Sequence, residues 1–155
     1  MNPLIRIVEL VESSRAAERL ADAMADLLPP IGDESPLRKA PLGHATHPVL
    51  TDLPLGCWTS AMLLDLLGGA GSRRAATLLV ALGVASAVPT ALTGYADWGT
   101  LEGTERRVGA VHALVNVAGL ALFTGSLVDR LIRREREGRR LALVGGVAVA
   151  AAGHL

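Results

Sequence analysis

At 155 residues, with no net formal charge and a single cysteine (Cys57), the chain reads as one domain without a basic tail for nucleic acid, an internal disulfide or a cysteine-ligated cluster. Half of its residues are hydrophobic yet only 3% are aromatic, a composition that suits helices packed closely in lipid, where small residues let backbones approach. No charged residue interrupts Ala75 to Ala96 or Ala110 to Val128, and runs of this length match the ~20 residues needed to cross a bilayer.

The first residues lack a basic start, an apolar core and a small-residue cleavage site, so no cleaved signal peptide is expected. Residues 3 to 28 predict one amphipathic helix: Leu4, Val8, Val11, Leu20, Met24 and Leu27 fall roughly on one face. Its polar face sets Arg6, Arg15 and Arg19 against Glu9, Glu12, Glu18, Asp22 and Asp26. A helix that binds anionic lipid is basic on its polar face, so this one is expected to pack on its own bundle or on a partner. Pro29-Pro30 ends it, and a polar linker follows.

The first apolar segment runs from Val49 to Gly71, interrupted by Asp52 and Asp65. Two starts compete. Pro48 can open the helix, or Asp52 can cap a helix beginning at Leu53 with Pro54 in its first turn. The second is preferred, because Pro54 deep in a longer helix breaks backbone hydrogen bonds. Gly68-Gly69 stops this segment. Arg74 to Trp98 forms the second, with Pro89 as a kink site and Tyr95 and Trp98 suited to an interfacial aromatic belt. Val108 to Val128 forms the third, where Gly109, His112, Asn116 and Gly119 share a face. A basic loop spans Asp129 to Arg140. The fourth segment starts at Leu141, and its fifteen residues cover only ~22 Å against a ~30 Å core, so it reads as truncated.

The expected architecture is therefore all-α: an integral membrane four-helix bundle (residues 35–155) preceded by an amphipathic helix and linker (residues 1–34). Arg73, Arg74, Arg130, Arg133, Arg134, Arg136, Arg139 and Arg140 outnumber Arg38, Lys39, Arg106 and Arg107 on the opposite side. The richer side is cytoplasmic by the positive-inside rule, which puts the N-terminus outside. His44, His47, His112 and His154 then all approach the outer layer, with Asp52, Asp97 and Asn116 beside them.

Gly43-His44-Ala45-Thr46-His47-Pro48, Leu53-Pro54-Leu55-Gly56-Cys57-Trp58, Thr93-Gly94-Tyr95-Ala96-Asp97-Trp98 and His112-Ala113-Leu114-Val115-Asn116 resemble the bacterial membrane family called domain of unknown function 2231. Its signature is Gly-His-Pro-x-His-Pro, a Pro-[Ile/Leu]-Gly helix start and a Thr-Gly-x-x-Asp-Trp helix end. The resemblance covers residues 35 to 155 in order. Ala45 stands where the motif has its first proline, and only Gly153-His154-Leu155 matches part of the family's Gly-Gly-His-Leu element. The resemblance implies a four-helix module of the plasma membrane and a link to electron transfer, since relatives often carry a Rieske-type iron–sulfur domain.

Three functions follow as expectations. The first is a haem b module: His112 with His47 or His154 as axial ligands, Asn116 beside them, and glycine clearance for the macrocycle. The second is a divalent zinc or iron site built from His44, His47, Asp52 and Asp97. The third binds no cofactor: a membrane anchor or assembly subunit for a redox partner, in which the polar cluster fixes helix packing. In that reading His112 bonds Asp97 or Asp52. Membrane lipid, a Rieske-type protein or domain and a second copy of the chain are the partners these readings allow. No Gly-x-Ser-x-Gly, P-loop or His-Glu-x-x-His motif is present, so the chain is not expected to be an enzyme by itself. Asp65 and Asp129 read as solvated helix ends, and Cys57 and Trp58 as packing residues.

Overall fold

The structure, a computed structural model, describes residues 3–29, 31, 35, 37 and 46–154. Among these residues it is all-helical. The elements are α1 (Pro3–Glu12), α2 (Arg15–Leu27), α3 (Thr46–Leu67), α4 (Arg73–Trp98), α5 (Gly103–Leu131) and α6 (Glu135–Ala152), with a short 3₁₀ turn at Ala70–Ser72. The four long helices pack α3 on α4, α4 on α5, α5 on α6 and α6 on α3, and the α1–α2 hairpin lies against α5.

The N-terminal arm is two helices rather than the single one expected over residues 3 to 28. Ser14 breaks it: the residue is extended, and its Oγ accepts from the backbone N–H groups of Ala16 (3.2 Å) and Ala17 (3.4 Å). That is an N-cap, which satisfies donors a new helix otherwise leaves orphaned. Of the two expected docking places, its own bundle or a partner, the arm packs on α5 of its own bundle.

Helix α3 begins at Thr46, not Leu53, and Pro54 lies inside it. Pro48 occupies the first turn, where a missing N–H costs little. The carbonyl that Pro54 leaves without an intrahelical donor is that of Leu50, and the hydroxyl of Thr90 on α4 approaches it at 3.2 Å. A neighbouring helix thus brings a donor within reach of the gap. At the other end Gly69 takes φ 63°, the left-handed conformation glycine adopts without strain, and the Ser72 Oγ donates to the Leu64 carbonyl at 3.1 Å.

The third and fourth helices reach further into charged sequence than their apolar runs indicated. α5 starts at Gly103, and α6 starts at Glu135 rather than Leu141. The basic loop therefore shrinks to Ile132–Arg134. Arg133 sits there at φ 65°, while Arg134 N–H reaches the Asp129 carbonyl (2.7 Å) and Arg133 N–H the Arg130 carbonyl (3.1 Å). This pair of bonds is the Schellman stop, here built on arginine in place of the usual glycine.

The bundle is small-inside and large-outside. Ala61, Ala76, Ala87, Ala110, Ala142 and Ala152 are buried. Leu53, Leu63, Leu66, Leu78, Leu82, Leu114, Val117, Val128, Val144 and Val147 are exposed. In water so much outward aliphatic surface is a liability; in hydrocarbon it is the expected solvent-facing shell. Two helical segments, Ala70–Trp98 and Gly103–Leu131, are long and apolar enough to cross a membrane. At mid-height Trp58 stacks on Phe123, with centroids 4.1 Å apart and planes within 3°. Gly83 lies against the indole, where an added Cβ would come within 2.9 Å of three of its atoms.

Toward the loop that joins α5 and α6, Asp65 is neither solvated nor free. Its carboxylate takes a bidentate pair from Arg130: Nη1 donates to Oδ1 at 3.1 Å and Nη2 donates to Oδ2. Arg139 Nε lies 3.5 Å from Oδ1. The side chains of Asp65 and Arg130 are 4% and 0% exposed. Arg130 also donates through Nε to Ser126 Oγ (3.1 Å), which donates to the Gly138 carbonyl. One buried polar chain thus joins α3, α5 and α6.

Candidate functional site

The opposite end of the bundle carries the histidines. His47, on the first turn of α3, faces the last third of α4. Its Nδ1 is 2.9 Å from the Thr90 carbonyl and 3.5 Å from Thr93 Oγ1. A carbonyl can only accept, so Nδ1 carries the proton and donates. The ring lies against Gly94, where an added Cβ would fall 2.6 Å from Cε1 and 2.9 Å from Nδ1. Glycine is required there by the imidazole itself.

Thr90 completes an exchange between the two helices. His47 of α3 donates to the Thr90 carbonyl, and the Thr90 hydroxyl can donate back to the Leu50 carbonyl that Pro54 orphaned. The same hydroxyl also lies 2.9 Å from the Ser86 carbonyl on its own helix, so its single proton chooses between the two acceptors. Thr90 and Thr93 are buried, and burial makes such bonds costly to lose. The His-Pro motif on α3 and the Thr-Gly motif on α4 are therefore two halves of one clasp.

A second, separate contact joins α5 to α6. His112 Nδ1 lies 3.0 Å from the Ala152 carbonyl, again fixing Nδ1 as the donor. Its partner is that carbonyl and not the Asp97 or Asp52 expected from sequence. Asn116 donates its amide to the His112 carbonyl on its own helix at 3.0 Å. The glycines on this face leave no clearance: an added Cβ at Gly109 would meet Trp98 Cδ1 at 2.8 Å, and one at Gly119 would meet Val149 Cγ2 at 2.6 Å. They serve close helix packing.

Asp52 is exposed on α3, Asp97 is half-buried near the end of α4, and His154 is exposed just beyond α6. His44 lies outside the described residues. Among the described residues no three His, Cys, Asp or Glu side chains converge to hold a metal ion. The two histidine contacts share an end of the bundle but sit on different helix pairs.

Sequence reasoning missed the roles of four residues here. Trp98 is not a lipid-belt residue: it is 7% exposed, its Nε1 donates to the Arg106 carbonyl at 2.9 Å, and it packs with Ala21 and Ala110 beneath the N-terminal hairpin. Arg106 stacks over its ring at 5.5 Å and lies 3.6 Å from Asp22, and Arg107 Nε donates to the Glu12 carbonyl at 2.9 Å. Tyr95 OH donates to the Pro29 carbonyl at 2.6 Å. The signal available was the pair of arginines near the start of the helix that follows an aromatic helix end.

Gly94→Ala should lower stability by about 1–3 kcal/mol by driving the His47 ring from its notch. His47→Ala in the same chain should recover part of that loss, since residues in contact do not add. Thermal unfolding of the four proteins of this cycle in one detergent reads the coupling; strict additivity would show that ring and notch are independent.

A family model described as "Predicted membrane protein (DUF2231)" matches residues 43–155. No curated protein and no solved structure matches the chain.

Proposed function

Because the chain belongs to the predicted membrane-protein family DUF2231, we propose that its four long helices form a four-span unit of the bacterial plasma membrane. The N-terminus lies outside, and the unit serves as a non-catalytic anchor or assembly subunit for a redox partner such as a Rieske-type protein. The observation that carries this reading is the His47–Thr90–Gly94 clasp, in which the most distinctive residues of the sequence are engaged with each other. Four spans follow from the outward leucines and valines of α3 and α6, which match those of α4 and α5. Orientation follows from the arginine excess around the α5–α6 turn.

A cofactor reading has one specific observation in its favour. His47 and His112 both direct Nδ1–H at a backbone carbonyl, which leaves Nε2 as the lone-pair nitrogen. Ligating histidines are oriented in this way by their outer partners. Against haem b stand Trp98 and Val149, which fill the glycine face beside His112. For zinc or iron, no three such ligands converge among the described residues, and His44 lies outside them. The packing here favours the anchor.

An absorption spectrum of protein purified from haem-replete cells, oxidised and then dithionite-reduced, with metal analysis alongside, separates the readings. The anchor predicts no Soret band and no stoichiometric metal. A Soret band that shifts on reduction and disappears in His112→Ala would replace the anchor with a haem module.

A further inference from the structure

The α1–α2 hairpin and α5 flank an open groove of about 510 Å³, lined by Ile7, Leu10, Ala17, Leu20, Val111 and Leu114 among others. Ser14 is its polar lining residue, and that hydroxyl is already the N-cap of α2. We propose that this groove holds an acyl chain of a zwitterionic phospholipid.

The occupant is argued from where the groove opens. Leu114 is 52% exposed and heads an outward stripe of α5 that continues through Val117, Ala121, Thr124 and Val128. α5 is one of the two helices able to cross a membrane, so this stripe faces hydrocarbon and the groove is its continuation beneath the hairpin. Ile7 and Leu10 of α1 stand exposed over it, adding aliphatic wall on the far side. An occupant that is apolar along its length fits such a lining, because the lining side chains among the described residues are aliphatic apart from Ser14. Charge narrows the lipid. The hairpin carries Glu9, Glu12, Glu18, Asp22 and Asp26 against Arg6, Arg15 and Arg19, and this acidic excess disfavours an anionic lipid. Of the arginines at the base of α5, Arg106 pairs with Asp22 and Arg107 bonds the Glu12 carbonyl.

The test uses the full chain in phosphatidylcholine vesicles containing phosphatidylcholine with a diazirine in one acyl chain. Photolysis before and after detergent exchange is followed by peptide mapping. The expected result is label on residues 7–20 and 111–114 that survives exchange, while label at Val144 and Val147 falls at least tenfold. Ala16→Trp, which fills the groove from an exposed position, should cut the surviving label at least fivefold. Leu10→Gln, a milder surface change, should cut it about twofold. Equal loss of label at the groove and at Val147, or no effect of either variant, would overturn the proposal. So would stronger retention of a phosphatidylglycerol probe.

Discussion

Asp65→Ala should make the detergent-solubilised protein about 3–5 kcal/mol easier to unfold, the usual cost of breaking a buried ion pair by removing one partner. The Arg130 side chain is 0% exposed, and a guanidinium cannot escape its charge by deprotonating. Arg139 remains nearby as a second cation, so the loss leaves like charges facing each other. Replacing both partners, as in Asp65→Leu with Arg130→Met, should return most of the stability, because well-packed apolar pairs often substitute for buried ion pairs. Denaturation in mixed micelles measures both variants. A single variant within about 1 kcal/mol of the parent would mean that the pair is open to solvent.

Phe123→Ala should cost about 3–5 kcal/mol, the range for emptying an aromatic site in a packed core. Phe123 is fully buried and stacked on Trp58, and Gly145 presses on its other edge, where an added Cβ would sit 3.1 Å from the ring. A ring held between an indole and a glycine backbone leaves little that can collapse into its place. The Trp58 Nε1 is buried without a hydrogen-bond partner among the described residues, so the loosened site should also admit water to it. The same denaturation experiment, with tryptophan emission recorded in a Trp98→Phe background, reads both effects. A red shift with little loss of stability would show that solvent reaches Trp58 without the stack mattering.

The apolar runs made the bundle legible, because length and lack of charge are enough to locate helices that face lipid. They under-reported those helices where the sequence turned polar. Glu135 to Arg140 carries no hydropathy signal, yet it continues the hydrogen-bond ladder of α6. The break at Ser14 hides from the pattern, because the amphipathic period runs on both sides of it. Pro54 misled for a different reason. Its cost was judged within one helix, and the hydroxyl that answers it belongs to Thr90, forty residues away. Asp65 and Arg130 are likewise joined only by the fold. Of the candidate site, the level at which His47 and His112 lie was readable from spacing. That each faces a backbone carbonyl of a different neighbour was not.

The hairpin is held in part by side chains of the bundle that grip its backbone: Tyr95 on Pro29, Arg106 on Ala21 and Arg107 on Glu12, each at a carbonyl oxygen. A carbonyl is the same whatever residue bears it. The two sides of this joint therefore tolerate change unequally. The hairpin's outward residues are free to drift and acquire new surface chemistry without undocking, while Tyr95, Arg106 and Arg107 are not. The hairpin is in that sense an interchangeable cover on a fixed fastening.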